Sequence, residues 1–361
     1  MPSLYAPMGG VNTKQKSVWG LISGVNTKMK NGWGLLSGVN TKIFNSEPEW
    51  KTSTIASLPN PEAVGLSSSY NWDKYHQAVY YNGKVYHFVT AYKTGGNTNQ
   101  YLYALIYDIA SNSYSYKQIF YAAAGSRYDG RVIGCCCHLS GNYIYIYLVK
   151  GNYYGDEYNW FRYRTGLYTD TLAIDSLTEM GASTSRTESP SYFVYAGFYN
   201  GLIYAIHLYF GDNYAQVCII NPSTNNISDI STLRVDNRKS GSSFLKSWVQ
   251  GQYLYIIFNG TSGTTRFIRL DLASPSDYTV LSCPYTFTAA FYSDMGVAVN
   301  GEDVFFYDTA LYRYNMSTGV WTQFPAAPIA GSGLSLVLAS NSIFAVECST
   351  IDDSPIAELS I

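Results

Sequence analysis

Six turn signals recur along the chain at intervals of roughly 40 to 60 residues: Asn82-Gly83, Ser140-Gly141, Asn200-Gly201, Gln250-Gly251, Asn300-Gly301 and a looser Ser340-Asn341-Ser342. Asn-Gly and related pairs between alternating apolar residues are the strongest local signal for a β-hairpin, because they supply the positive φ that such turns need. The flanks alternate with period 2, as in Tyr143-Ile144-Tyr145-Ile146-Tyr147 and Tyr253-Leu254-Tyr255-Ile256. Helical periodicity is almost absent from residue 47 onward. After each of the first five turns come an aromatic-rich strand, a variable loop and a second hairpin. The second hairpins align with one another at Tyr107-Asp108, Ile220-Asn221, Leu270-Asp271 and Tyr314-Asn315. Four strands per unit at this period predict propeller blades, and counting turns gives six.

The last hairpin, Leu311-Tyr312-Arg313-Tyr314-Asn315 followed by Ser317-Thr318-Gly319-Val320-Trp321 and two prolines, resembles a kelch repeat. The other units match it loosely, and most lack the kelch double glycine. The expected fold is therefore all-β: a six-bladed kelch-like β-propeller over residues 47–361, preceded by a short repetitive β-rich anchor over residues 1–46. The sixth unit offers only three strand candidates, 334–340, 342–348 and 356–361. Residues 49–55, which begin Glu49-Trp50-Lys51, supply the missing outer strand and close the ring from the other terminus, removing an open edge.

Composition narrows the class further. Only 13% of residues are charged, against about 25% in an ordinary soluble domain. Tyrosine, 36 in all, carries much of the apolar bulk, a ring with one wet end. Such a chain is not disordered. No apolar stretch approaches the ~18 residues of a membrane-spanning helix, and the first residues lack the pattern of a signal peptide. The net charge of -2 gives no broad attraction to nucleic acid. None of the six cysteines has zinc-site spacing, and Cys135, Cys136 and Cys137 must alternate faces in a strand. Buried free thiols in a reducing compartment are expected, with no metal and no cofactor.

The first 44 residues follow a different logic. They carry five lysines and no acidic residue, a charge of +5 against -7 for the rest. Gly10-Val11-Asn12-Thr13-Lys14 recurs as Gly24-Val25-Asn26-Thr27-Lys28 and Gly38-Val39-Asn40-Thr41-Lys42, a period of 14 that also relates Trp19 to Trp33 and Leu21 to Leu35. Each unit suggests a short hairpin or arch too small to bury its own face. The units are therefore expected to be ordered by docking on another surface, through Val11, Lys14, Trp19, Leu21, Val25, Lys28, Trp33, Leu35, Val39 and Lys42. This tandem resembles the GVN-x-K-x-K repeats of tail proteins of phages and phage-tail-like particles of Gram-positive bacteria, with Thr-Lys where that family often has Ala-Arg. The resemblance covers about 35 residues. It implies a virion or tail-particle protein that joins other tail or baseplate proteins through its N-terminus.

Propeller connectivity predicts two unlike faces. Turns between the first and second and the third and fourth strands are tight. Long connections fall on the other face, at 66–77, 90–100, 122–131, 150–159, 181–191, 234–242 and 259–265. Variable loops on a rigid scaffold are where binding usually sits. The candidate contacts are Trp72, Tyr75, His76, Tyr128, Asp129, Tyr153, Tyr154, Asp156, Arg186, Asn213 and Arg238. Aromatic faces, amides and carboxylates suit a host cell-surface glycan, and tyrosine-rich loops also suit a protein. With the residue 49–55 strand outermost, the anchor is expected at the end opposite the binding loops.

Sequence patterns for catalysis are lacking. His87 and His207 lie in aromatic strands and read as packing residues. No zinc-protease, nucleophile-elbow or phosphate-loop pattern occurs. Loop carboxylates Asp129, Asp156, Glu157, Glu188 and Asp236 leave a glycosidase pair open. The expectation is a non-enzymatic adhesin. A decoration protein without a receptor and a glycan-degrading enzyme are the alternatives. Tail adhesins are often trimers, although no coiled-coil heptads occur here.

Overall fold

The computed structural model describes residues 18–22, 25–29, 31–36, 39–45, 49–51, 58–93, 99–121, 131–154, 157–180, 185–186, 189–210, 215–235, 245–259, 264–275, 278–287, 296–327, 334–340, 342–347 and 356–360. The chain divides into two compact units, residues 1–49 with Ile361, and Trp50–Ser360.

In the first unit β1 (Val18–Ile22) pairs antiparallel with β2 (Val25–Met29), and β3 (Asn31–Leu36) pairs antiparallel with β4 (Val39–Asn45). From the Trp to the turn the two hairpins share one register, and β3 adds a bulge between Gly32 and Trp33. Trp19 faces Lys28 and Ile22 faces Val25; 14 residues later Trp33 faces Lys42 and Leu36 faces Val39. Each hairpin thus joins the Trp-Gly-Leu segment of one sequence unit to the Val-Asn-Thr-Lys segment of the next. Val11 and Lys14 lie outside the described residues.

The second unit is a six-bladed β-propeller. Blade I is β6 (Tyr70–Tyr81), β7 (Lys84–Lys93), β8 (Asn99–Asp108) and β9 (Ser113–Tyr121). Blade II is β10 (Arg131–Ser140), β11 (Tyr143–Tyr154), β12 (Glu157–Tyr168) and β13 (Thr178–Glu179), with β14 (Ser185–Arg186) also paired to β12. Blade III is β15 (Ser189–Tyr199), β16 (Leu202–Phe210), β17 (Ala215–Asn221) and β18 (Asn226–Val235). Blade IV is β19 (Leu245–Gln250), β20 (Tyr253–Asn259), β21 (Thr265–Asp271) and β22 (Tyr278–Leu281). Blade V is β23 (Ala298–Asn300), β24 (Asp303–Tyr307), β25 (Leu311–Asn315) and β26 (Val320–Phe324). Blade VI is β27 (Leu334–Ala339), β28 (Ser342–Glu347) and β29 (Ile356–Ser360), completed by β5 (Glu49–Trp50). A single 3₁₀ turn, Glu62–Val64, is the only helical element among the described residues.

The predicted closing strand is therefore present. Lys51 N–H donates to the Glu358 carbonyl at 2.8 Å, and the Lys51 ammonium lies 2.5 Å from the Glu358 carboxylate. Trp50 Nε1–H donates to the Pro325 carbonyl at 3.3 Å, tying blade VI to the connection that leaves blade V. The innermost strands form a ring in which β6 meets both β10 and β27.

The hairpin turns divide into two kinds that the dipeptides alone do not distinguish. In blades I and III both central residues have positive φ, Asn82 with Gly83 and Asn200 with Gly201, the pattern of a type I′ turn. In blades II, IV and V the strand runs one residue further, so glycine comes first: Gly141, Gly251 and Gly301 have positive φ and Asn142, Gln252 and Glu302 do not. That is the type II′ pattern, and both kinds match the right-handed twist of the flanking strands.

The aligned second hairpins also have a physical basis. Asp108, Asn221, Asp271 and Asn315 each accept a backbone N–H from inside the following turn. Four residues on from three of them, Asn112, Asn225 and Gly319 take positive φ. Asx side chains mimic a backbone turn in this way. Blade II builds a similar turn with Tyr168 in place of the leading Asx residue. Leu172 N–H donates to the Tyr168 carbonyl at 2.9 Å with Leu172 at φ 56°, a conformation rare for a bulky side chain.

Alternating residues of each blade pack against the blades on either side. Trp72, Val85, Tyr103 and Leu105 of blade I meet Val337, Phe344 and Ile356 of blade VI. On the opposite face Tyr86, Phe88 and Ile106 meet Cys135, Cys137 and Ile146 of blade II. Cys136 points the other way, onto Ile203 and Cys218 of blade III. The three adjacent cysteines therefore split between two interfaces, as expected, and Cys135, Cys136, Cys137, Cys218 and Cys283 are free thiols.

Candidate functional site

The long connections lie between the second and third strands and between successive blades, as propeller connectivity requires. Two expected loops are instead strand. Residues 150–159 form a long hairpin in which Gly151 pairs with Trp160 and Tyr153 with Tyr158, leaving only residues 155–156 to connect β11 and β12. Residues 70–77 belong to β6. Conversely, the chain between β22 and β23, between β26 and β27 and between β28 and β29 also supplies connections of this kind by strand order, and these are absent from the expected loops.

Among the predicted contact residues, Trp72 is the one whose side chain is described. Trp72 is corrected outright. It is 1% exposed, packs edge-on against Tyr103 at 5.7 Å and donates its Nε1–H to the Pro59 carbonyl at 2.9 Å. A ring sealed between blades I and VI offers no face to a ligand. Tyr75 and His76 lie in β6, Tyr153 and Tyr154 in β11, and Arg186 in β14, all on strands rather than in loops. The expected positions Tyr128, Asp129, Asp156, Asn213 and Arg238 lie outside the described residues.

A concave site does exist on the propeller axis. The inner strands enclose a central channel of about 260 Å³, lined by Gln77, Ala78, Val194–Phe198, Ser247–Val249, Gly296, Val297, Val299 and Leu336. Phe198, Val249 and Val299 stand near their first hairpin turns, so this channel reaches toward the tight-turn face. Two bulges in β15, at Pro190/Tyr192 and Tyr195/Gly197, re-aim its side chains. Gly197 lets β15 approach β19 closely, since a Cβ there would fall 2.5 Å from the Val249 Cβ.

Beside the channel, His138 and Tyr195 share a hydrogen bond of 3.3 Å between Nδ1 and the phenol oxygen. The His138 imidazole also stacks on Phe198 with centroids 4.5 Å apart and planes 18° apart. Burial lowers the His138 pKa to about 4, so the ring is neutral at physiological pH, and burial raises the Tyr195 phenol. Phe198 remains 45% exposed. Ser247 is 1% exposed, and its hydroxyl has no hydrogen-bond partner among the described residues. The signal for this site was in the sequence but unread: the lining aromatic Phe198 stands two residues before the Asn200-Gly201 turn.

Elsewhere, His87 is a packing residue as expected, 2% exposed and lowered by burial to about 3. The described residues contain no group of three or more His, Cys, Asp or Glu that could hold a metal ion. No helix among them is long and apolar enough to cross a membrane. No family model matches the chain. No curated protein matches it.

Proposed function

We propose that this chain is a structural protein of a virion or phage-tail-like particle, held on the tail or baseplate by its N-terminal repeats and contacting the host cell surface through propeller loops. The observation that carries the reading is the 14-residue unit and its reproduction as two hairpins whose pairs from Trp19 to Val25 and from Trp33 to Val39 match. Two-stranded hairpins are marginal alone in water, so the two described hairpins would gain stability from a docking partner. The charge split, +5 over residues 1–44 against -7 for the rest, suits attachment to an acidic neighbour.

The propeller supports the recognition half of the reading. Its strands form a scaffold from which unequal connections rise on one face, the arrangement that binding proteins use to vary contacts without altering the core. Tyrosine in such connections gives large contact area at low entropic cost.

Removing residues 1–46 is expected to leave a folded propeller that no longer joins the particle. A truncated protein that still assembles would refute the anchor. For recognition, Tyr128→Ala combined with Arg238→Ala in full-length protein is expected to reduce attachment of particles to host cells. Release of fragments from purified wall polysaccharide would replace the adhesin with a hydrolase.

A further inference from the structure

We propose that Tyr101 and Tyr121 form an oxidative cross-linking site, a pair of phenols that a one-electron oxidant such as a haem peroxidase with hydrogen peroxide joins into dityrosine. The bond staples the outermost strand of blade I to its neighbour. The inference goes beyond the host-surface reading and does not rest on it.

The hairpin of β8 and β9 places tyrosines opposite one another. Tyr101 pairs with Tyr121 and Tyr107 with Tyr114 in the ladder. Directly opposite side chains have Cβ atoms about 4.5–5.5 Å apart. The Tyr101 and Tyr121 rings lie with centroids 4.7 Å apart and planes 30° apart. Side chains of equal length on facing positions bring equivalent ring carbons together, and a bond between the carbons ortho to the two hydroxyls requires that match. Tyr121 is 46% exposed and Tyr101 is half-buried, so an oxidant in solution reaches the pair. The exposed ring also has the freedom to turn into the bond.

The neighbouring pairs lack one or another of these conditions. Tyr143 and Tyr168 also face each other at 4.7 Å, but their planes are 66° apart and the Tyr143 phenol is held by Asp175 and Arg164. Tyr107 is 3% exposed, and its phenol donates to Asn112 Oδ1 at 3.0 Å. Tyr70 meets Tyr101 edge-on, with planes 80° apart. Among the described side chains, Tyr101 and Tyr121 are the facing pair that combines ring contact, near-parallel planes and exposure.

Burial and the nearby Tyr70 raise the Tyr101 pKa to about 12, so at pH 7 its oxidation sheds a proton. Each phenol loses one electron to the oxidant and one proton to water, giving two phenoxyl radicals. Their coupling forms one C–C bond between ortho carbons, and the hydrogens on those carbons move to the oxygens and restore both phenols. Hydrogen peroxide takes up two electrons and two protons and becomes two waters. The outermost strand β9 has a single ladder neighbour, and Tyr121 is its last residue, where the chain leaves blade I for blade II. The cross-link therefore closes an open strand at its free end.

The test exposes dilute full-length protein to a haem peroxidase with stoichiometric hydrogen peroxide and maps the products by mass spectrometry after trypsin cleavage. Lys117 lies between the two tyrosines, so their peptides separate unless joined. The expected product is the two peptides joined at a mass two hydrogens below their sum, with dityrosine fluorescence, in a protein that still runs as a monomer. Tyr101→Phe and Tyr121→Phe keep the ring and remove the O–H, and each should abolish the product; Tyr168→Phe should leave it. Amide exchange in β9 should slow severalfold once the bond has formed, and urea-unfolded protein should give a severalfold lower yield. Dityrosine elsewhere with none between Tyr101 and Tyr121, joined peptides found only in covalent dimers, or an equal yield from unfolded protein overturns the proposal.

Discussion

Gln77 on the innermost strand of blade I grips the backbone of Cys137 on the innermost strand of blade II. Its Nε2–H donates to the Cys137 carbonyl at 2.8 Å and its Oε1 accepts the Cys137 N–H at 2.7 Å. A primary amide here imitates the next rung of a β-ladder across a blade boundary where no ladder exists. The β6 register shifts between Tyr75 and Gln77, and this bulge precedes the side chain that makes the bridge.

Gln77→Leu keeps most of the volume and removes both bonds. It leaves one buried donor and one acceptor of Cys137 unpaired, at a cost of about 2–3 kcal/mol. Urea unfolding should show a lower midpoint with little change in slope. An unchanged midpoint would show that the bridge adds nothing to stability.

Tyr143 lies across Gly166 on the paired strand. A Cβ at Gly166 would fall 1.6 Å from the Tyr143 hydroxyl oxygen, which is itself engaged by Asp175 and, at 3.1 Å, by Arg164. Gly166→Ala must therefore expel the ring and break both contacts, with an expected loss of about 1–3 kcal/mol. In a double-mutant cycle with Tyr143→Ala the two losses should be far from additive. Strict additivity would show that the ring never occupied that space.

Closure of the ring depends on a strand contributed by each end of the second unit. Deleting residues 356–360 removes Ile356, Ala357 and Leu359, all buried, and strips the Lys51 pairing from blade VI. The new edge on β28 would be a template for association. Aggregation or loss of the cooperative thermal transition is expected. A soluble monomer with the parent melting temperature would be incompatible with this closure.

His87 provides a pH dependence. Burial lowers its folded pKa to about 3, against 6.5 for the ordinary imidazole. The unfolded chain then binds the proton that the folded chain refuses. Its contribution to stability is complete above the unfolded value and is lost as pH falls from about 6.5 toward 3, at up to about 1.4 kcal/mol per pH unit. His138, lowered to about 4, acts in the same direction over a narrower window. His87→Phe should flatten the stability profile between about pH 6 and 4, measured by urea unfolding at each pH. A mutant profile parallel to the parent's would assign the acid sensitivity elsewhere.

The propeller was legible because its determinants are short-range. Asn-Gly and Ser-Gly pairs, period-2 tyrosines and the Asx residues of the second hairpins each set local backbone geometry within a few positions. Six turns counted in sequence became six first hairpins, and Trp50 found its place because blade VI lacked one strand. Other readings failed where a local signal was ambiguous. Gly151-Asn152 resembles a turn, yet the long hairpin of β11 and β12 carries both residues in ladder pairs with Trp160 and Asn159. Trp72, set among polar residues, read as a loop aromatic, yet the blade VI surface covers it.

By itself, then, the sequence determined which residues extend, where the chain reverses and how many blades result, because those choices are made between neighbours along the chain. The tertiary structure decided which tyrosines and tryptophans are buried, which glutamine bridges two blades and where a cavity opens. Those outcomes depend on what a neighbouring blade presents to a side chain. Phe198 and Trp248 lie on adjacent inner strands, and only the packing around them leaves one half exposed at the channel and seals the other against Tyr255 and Tyr314.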